Sequence, residues 1–363
     1  MIESSAEDPS AADSGGTLKR ALDFCDTMLG QVSRTFAVSI QTMPPELGRP
    51  VQIAYLLCRV VDTVEDEAEL PHSDRMRLFT LFDQALVDDN ESLDAFEDAI
   101  RINKVGFGKP DGELCQRAGL VFCAFRQLDP RIIQAIRPHV AEMSTGMRAY
   151  CTRAALNSTW SLSDMVDLER YCFYVAGTVG NLLTELFEQR VPELSASERA
   201  ALREMAVSFG IGLQLVNVLK DIGDDAERGV CFLPRAEARN HGIDLNGVLD
   251  PENRSSTLAL IGEIASRARR HLEVAIDYTT AWPMPAGADI RMFCTVPLCL
   301  ALATLREIET GDDTARAGHN PKVPRSVVKA ILVESVPAVA SDSELRRLFI
   351  KYGGGDHGAD RST

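Results

Sequence analysis

The feature that most restricts the fold is an apolar helix that must also carry carboxylates. Phe209, Ile211, Leu213, Leu215, Val216, Val218 and Leu219 make the stretch before Lys220 apolar almost all round, the pattern of a buried helix. The same stretch runs through Asn217, Lys220 and Asp221 to Asp224 and Asp225. Each four-residue step on a helix returns to within roughly 40° of the same face, so Asn217, Asp221 and Asp225 form one polar stripe. Carboxylates on a buried helix need partners, metal or protons. Stacked hard oxygen ligands suit Mg²⁺, which takes one or two carboxylates per ion alongside water and substrate phosphate. The stripe therefore reads as a diphosphate site rather than a solvated acidic face.

A second stretch repeats the pattern. In Ala54-Tyr55-Leu-Leu-Cys58-Arg59-Val-Val-Asp62-Thr63-Val-Glu65-Asp66 the carboxylates of Asp62 and Asp66 are again four apart, with Glu65 on the same side and apolar turns before them. The two carboxylate helices are expected to face each other across one cavity, each holding metal against the same bound polyphosphate. Arg59, one turn before Asp62, is read both as an ion-pair partner for Glu65 or Asp66 and as a clamp on diphosphate.

Composition sets limits on partners. At 363 residues the chain has ample length for a large core, with 45% hydrophobic and 25% charged residues. A formal net charge of -15 argues against non-specific nucleic-acid binding, which relies on Lys and Arg neutralising phosphates. An anionic substrate must then be met by local cations and metal. The nine cysteines include no Cys-x-x-Cys pair and read as small buried hydrophobes in a reducing compartment, and the six histidines show no metal-ligand spacing. The first sixteen residues are not a secretory signal, and the apolar run Phe293 to Leu305 is too short to span a bilayer and contains Pro297. The expectation is a cytoplasmic protein with at most peripheral membrane contact; oligomeric state is not legible.

In chain order, residues 1 to 16 read as a disordered tail and residues 17 to 352 as one large helical domain around a central apolar cavity. Residues 353 to 363 read as a second disordered tail. A helix from Leu18 to about Gln41 is interrupted by Ser33-Arg34-Thr35, which either caps it or offers Arg34 and the hydroxyls to phosphate. Pro44 and Pro45 break this helix, and the helix bearing Asp62 and Asp66 follows and ends near Pro71. Asp74 to Arg101 is helical in pattern but loaded with acids, an exposed face with no chemistry, and Gly106 to Gly112 is a loop. Helices follow over Leu114 to Leu128 and Pro130 to Tyr150. The next helix, capped by Ser161 and Asp164, carries Tyr171-Cys-Phe-Tyr174-Val-Ala176-Gly177-Thr-Val-Gly180. Mid-helix Gly177 and Gly180 each cost about 1 kcal/mol relative to Ala, which marks either close helix packing or a groove for a flexible hydrocarbon. Later helices run over Glu198 to Lys220, Ser255 to Thr280, Ile290 to Glu309 and Val327 to Val333. No alternating strand pattern appears, so the class is all-α.

Two acidic helices, the Tyr-rich, Gly-interrupted helix between them, and Arg228-Gly229 after the second stripe together resemble the squalene and phytoene synthase family, over roughly residues 30 to 335. The resemblance implies the isoprenoid synthase fold and head-to-head prenyl transfer between two prenyl diphosphates. It makes Asp62, Glu65 and Asp66 the first Mg²⁺-binding motif and Asn217, Asp221 and Asp225 the second. It places Ser33, Arg34, Arg59, Lys220 and Arg228 on diphosphate and makes Tyr171 the residue implicated in proton removal.

Within the family, Tyr171 to Gly180, the run from Phe293 to Leu305, and Lys322-Val-Pro-Arg325-Ser look more like the squalene branch, which uses NADPH. That likeness puts Lys322 and Arg325 on a basic flap, and with Tyr55 and Asn217 they form the expected nucleotide-side set. The implied reaction joins two molecules of farnesyl diphosphate and then reduces the intermediate. The alternatives are a phytoene-, dehydrosqualene- or presqualene-diphosphate-forming enzyme without the reductive step, a head-to-tail elongase or terpene cyclase, and a non-catalytic prenyl-lipid-binding helical protein. Departures are Lys220 where arginine is common, Asp224 where glutamate is common, and Val230-Cys231 in place of a basic and aromatic pair. No C-terminal membrane helix is expected. Phe36, Met147, Leu183 and Phe293 are candidates for the cavity floor.

Overall fold

A computed structural model describes residues 9–157, 162–311, 314 and 320–354. Helices follow one another as α1 (Pro9–Val32), α2 (Arg34–Gln41), α3 (Pro45–Asp66), α4 (His72–Leu86), α5 (Asn90–Ile102), α6 (Pro110–Gln116), α7 (Ala118–Arg126) and α8 (Pro130–Asn157). They continue as α9 (Met165–Cys172), α10 (Thr178–Arg190), α11 (Ala196–Lys220), α12 (Ile222–Glu227), α13 (Arg235–Asn240) and α14 (Arg254–Ala281). The last three are α15 (Ala288–Thr310), α16 (Arg325–Ala338) and α17 (Asp342–Gly353). A π-helical segment, Phe173–Gly177, joins α9 to α10. Among the described residues the only β pairing is an isolated bridge between Leu162 and Pro234, so the chain is all-α as its periodicity implies.

The described residues of Met1–Ala37 and Gly48–Ala141 form one compact unit, and those of Val38–Leu47 and Glu142–Thr363 a second. In the first, α4, α5 and α7 bury Phe79, Phe82, Phe96, Phe122 and Phe125, and the Phe82 ring meets Phe96 at 6.1 Å and Phe122 at 5.6 Å. Aromatic side chains dominate this core because each buries more apolar area than an aliphatic one. In the second, α11 packs against α10, α14, α15 and α9. The interface of α10 with α11 is built on absent side chains: a Cβ on Gly180 would lie 2.2 Å from the Ala206 carbonyl oxygen. A Cβ on Gly210 would lie the same 2.2 Å from the Ala176 carbonyl oxygen. Helix packing, not a hydrocarbon groove, occupies the space beside Gly180.

Several boundaries differ from the sequence reading. α1 begins at Pro9, inside the stretch taken as a disordered tail, with proline at a first-turn position where its missing N–H is harmless. Residues 1–8 and 355–363 lie outside the described residues. α6 starts at Pro110, within the expected loop, and the backbone of Gly112 packs on that of Gly106, whose φ is +62°. Leu114 to Leu128 divides between α6 and α7 at Arg117. Ser33 caps α2 by accepting from the Phe36 N–H at 3.1 Å, and Asp164 caps α9 by accepting from the Asp167 N–H at 2.9 Å. Ser161 lies outside the described residues. The run from Phe293 to Leu305 falls inside the 23-residue α15, which with α11 is long and apolar enough to cross a membrane by length and composition; both contribute to the core of the second unit.

Candidate functional site

The first acidic segment closes α3. Residues Ile53 to Leu57 and Val60, Val61 and Val64 are buried except for the partly exposed Tyr55, which fixes the helix in place and leaves Arg59 and Asp62 half-buried at its rim. Arg59 donates to Asp62 Oδ2 at 2.5 Å and, through Nε, to Asp111 Oδ1 at 2.7 Å. The arginine is thus an ion-pair partner of Asp62 and Asp111, not of Glu65 or Asp66 as its spacing suggested. Burial works against the Arg59 charge, and the two carboxylates more than restore it. Burial and the nearby Asp66 charge raise the Asp62 carboxyl above the ordinary carboxylate range, while Arg59 pulls it down. Glu65 is buried at 6% exposure, whereas Asp66 is exposed at the helix end, so the three acids differ in their access to water.

The second acidic segment does not lie on one uninterrupted helix. α11 ends at Lys220, Asp221 takes φ −99° and ψ 10°, and α12 begins at Ile222. The stacking survives because the four-residue hydrogen bonds continue: Asp221 N–H to Asn217 O at 2.9 Å and Asp225 N–H to Asp221 O at 2.8 Å. Lys220 Nζ lies 2.9 Å from Asp221 Oδ2, and Arg228 donates to the buried Asp225 at 2.5 Å. Asn217 is exposed and its amide approaches Gln214 at 3.5 Å. After Arg228 the chain turns sharply: Gly229 has φ +71°, its N–H bonds Ala226 O at 3.0 Å, and the Val230 N–H bonds Asp225 O at 2.9 Å. This glycine-capped helix end delivers the following residues to the start of α9.

Tyr171 is buried at the end of α9, its ring stacked on Phe232 at 5.0 Å and edged by Tyr150 at 5.2 Å. The π-helical turn begins two residues later, a feature found often at functional sites and without a local sequence signature. Tyr174 lies across Gly146 of α8, where a Cβ would fall 2.1 Å from the ring. Met143 and Met147 are core residues.

The remaining candidates are dispersed. Tyr55 stacks at 5.7 Å, tilted, on Phe36; burial raises its phenol pKa, and a hydrogen bond with Ser33 lowers it in part. Ser33 therefore combines the capping role with a contact to Tyr55. The Arg34 side chain lies outside the described residues. Lys322 and Arg325 are exposed, Arg325 opening α16, and most of the loop between Asp312 and Asn320 lies outside the described residues. A cavity of about 410 Å³ borders the second acidic segment, lined by Val218, Ile222, Asp225, Phe232, Arg235 and Val248 among others. None of the four residues expected at a cavity floor lines it.

Among the described residues, no three carboxylate, histidine or cysteine side chains converge as a ready-made cage. The donor set nevertheless fits Mg²⁺, being hard oxygens with Asp62 and Asp66 close enough to repel. Such an ion completes its shell with water and phosphate rather than with a full protein cage.

The chain is 28% identical over 334 residues to Botryococcus squalene synthase from Botryococcus braunii, covering 91% of this chain and 65% of that protein. It is 27% identical over 331 residues to squalene synthase from Schizosaccharomyces pombe, covering 90% and 67%. The chain thus spans about two thirds of the length of these curated relatives. The solved complex of TcSQS with the ligand BPH1237 superposes with a TM-score of 0.78 at 24% identity, over 95% of this chain and 94% of that one, which establishes the isoprenoid synthase fold. The squalene/phytoene synthase model matches residues 29–327, including both acidic segments, Tyr171 and Arg228. A chain matched over that length belongs to the squalene/phytoene synthase family.

Proposed function

We propose that this protein is a Mg²⁺- and NADPH-dependent squalene synthase. It would join two farnesyl diphosphates head to head into presqualene diphosphate, releasing one diphosphate and one proton. It would then convert presqualene diphosphate into squalene as the second diphosphate leaves and hydride arrives. The observation that supports this reading best is the pairing of carboxylate and cation in both acidic segments: Asp62 with Arg59, Asp221 with Lys220 and Asp225 with Arg228. Each cation is already beside a carboxylate that metal can neutralise, so an arriving diphosphate can take over the freed N–H donors.

In this reading Asp62, Glu65, Asp66, Asn217, Asp221 and Asp225 hold Mg²⁺, which supplies charge neutralisation of the departing diphosphate. Arg59, Lys220 and Arg228, with Ser33 and Arg34, orient the diphosphate oxygens. Lys220 does so as a point charge rather than a planar fork. The apolar faces of the helices exclude water from a reactive allylic cation. Tyr171 accepts the proton lost in the first half-reaction, assisted by released diphosphate because a phenol is a weak base. Lys322 and Arg325 are exposed cations suited to nucleotide phosphate, and Tyr55 and Asn217 would complete the nucleotide-binding set. NADPH, when bound beside Lys322 and Arg325, would supply the hydride of the second half-reaction. The protein works in the cytoplasm with at most peripheral membrane contact.

Purified protein incubated with farnesyl diphosphate and Mg²⁺, with and without NADPH, tests this by product mass. Squalene should form only with NADPH and presqualene diphosphate should accumulate without it. A conjugated C30 hydrocarbon made regardless of NADPH would place the chain with the non-reductive members. Unchanged substrate would favour a binding protein.

A further inference from the structure

The Tyr171 ring is held by neighbours that are themselves held. Phe232 stacks on it at 5.0 Å with 21° between the planes, and Tyr150 meets it at 5.2 Å and 71°. The Phe232 segment is pinned beside the start of α9 by two backbone bonds of 2.9 Å, Arg235 N–H to Leu162 O and Ala236 N–H to Ser163 O. Glu237 adds a third tie, accepting from the Met165 N–H at 3.0 Å.

Tyr150 is restrained at its hydroxyl and at its ring face. Its hydroxyl donates to Asp167 Oδ1 at 2.9 Å, with the Asp167 carbonyl oxygen at 3.1 Å. Arg153, three residues on along α8, donates to the same Asp167 at 2.9 Å and lays its guanidinium 4.4 Å from the centre of the Tyr150 ring. The Asp167 carboxylate also accepts from the Ser163 N–H at 2.8 Å. Asp167 sits one turn before Tyr171 on α9, so the clamp and the residue it serves share a helix. Burial and the hydrogen bond to Asp167 both raise the Tyr150 phenol, which keeps its proton and acts as a donor.

Packing alone does not call for this arrangement. A phenylalanine at 150 would fill the same core, whereas a buried hydroxyl and carboxylate are stabilising only when satisfied in one geometry, which the half-buried Arg153 guanidinium helps to complete.

We propose that Tyr150, clamped by Asp167 and Arg153, is a positioning residue that sets the orientation of the Tyr171 ring. The proposal rests on the assignment of Tyr171 as the proton acceptor. Tyr150 touches no reacting atom in this scheme and acts through the Tyr171 ring, with Phe232 as the opposing wall.

The test combines a spectral readout with kinetics in the full-length chain. Tyrosines are replaced by 3-fluorotyrosine, and the Tyr171 ¹⁹F resonance is identified by its loss in Tyr171→Phe. In Tyr150→Phe the Tyr171 resonance should shift or broaden. The kcat with farnesyl diphosphate should fall on the order of 10-fold, since small displacements at a reacting group are amplified in rate. KM should stay within about 2-fold, because ground-state binding is untouched. Asp167→Asn, which keeps the side-chain shape, should move the same resonance and serves if Tyr150→Phe folds poorly. An unmoved resonance in both variants overturns the proposal, as does an unchanged kcat in an active enzyme. If the unsubstituted protein makes no product, the functional assignment fails on its own, while the ¹⁹F comparison still decides whether Tyr150 orients Tyr171.

Discussion

Asp62 accepts a 2.5 Å hydrogen bond from Arg59, one turn earlier on the same helix. Both side chains are partly exposed, 22% for Asp62 and 32% for Arg59, so the pair contributes less than about 1 kcal/mol to stability. Its value in the proposed reaction is positional. Asp62→Asn keeps an acceptor for Arg59 but removes a charge that Mg²⁺ would use. Product formation should fall by about 100-fold or more, the scale of losing one preorganised electrostatic group, with a urea midpoint close to the parent's. Full turnover in this variant would remove the first acidic segment from the mechanism.

The glycines of the second unit give a stability prediction with opposite signs. Gly180→Ala drives a Cβ to 2.2 Å from the Ala206 carbonyl oxygen, so α10 and α11 must separate, and overpacking of this kind costs about 1–3 kcal/mol. Gly262 is also mid-helix, exposed on α14, and a Cβ there meets nothing within 4 Å. Gly262→Ala should stabilise by about 1 kcal/mol through helix propensity. Thermal midpoints of the two variants should therefore move in opposite directions.

The contrast between these glycines shows what the chain's pattern discloses. Helical class, the apolar faces and caps such as Asp164 are legible because they follow from residues within one or two turns. The acidic spacing is legible for the same reason, and the four-residue bonds preserve it even where α11 gives way to α12 at Asp221. Asp111 is not legible: it lies 52 residues from Arg59, in a Pro-Asp stretch that looks like an ordinary turn. The π turn after Cys172 leaves no periodic trace. Tyr150 reads as one more core residue, because the partner of its hydroxyl is a first-turn acid on the next helix, where acids are common anyway. The partners of Arg59 and of the Tyr150 hydroxyl are tertiary, and local pattern cannot supply them.

Arg291 makes a case for a buried cation that is structural. Its guanidinium, 4% exposed as a residue, donates to Trp282 O and Thr280 O at 2.7 Å each and to Asp342 Oδ1 at 2.6 Å. It thereby ties the end of α14 to α15 and to the start of α17. Arg291→Met fills similar volume but leaves two carbonyl oxygens without this donor, at about 1–3 kcal/mol each. Urea unfolding should show a loss of about 3 kcal/mol, the scale expected when two buried carbonyl oxygens lose their donor. A midpoint equal to the parent's would mean that water replaces the guanidinium.

Asp167 gives the pH dependence. Burial alone would raise its carboxyl pKa, but hydrogen bonds from Arg153, the Ser163 N–H and Tyr150 together bring it below the ordinary value of 3.8. A group whose folded-state pKa is depressed stabilises the fold fully above its unfolded-state pKa, and that contribution is lost as pH falls through the folded-state value. Asp167→Asn should therefore lower the thermal midpoint at neutral pH, where the parent's carboxylate is ionised and held by Arg153. The gap between variant and parent should narrow through the acid range below the ordinary aspartate value, as the parent's carboxyl takes up its proton and becomes, like the amide, a neutral acceptor. Midpoints measured in steps down to about pH 3 decide the matter. A gap that stays constant across that range would show that shape, not charge, is what Asp167 contributes beside Tyr150.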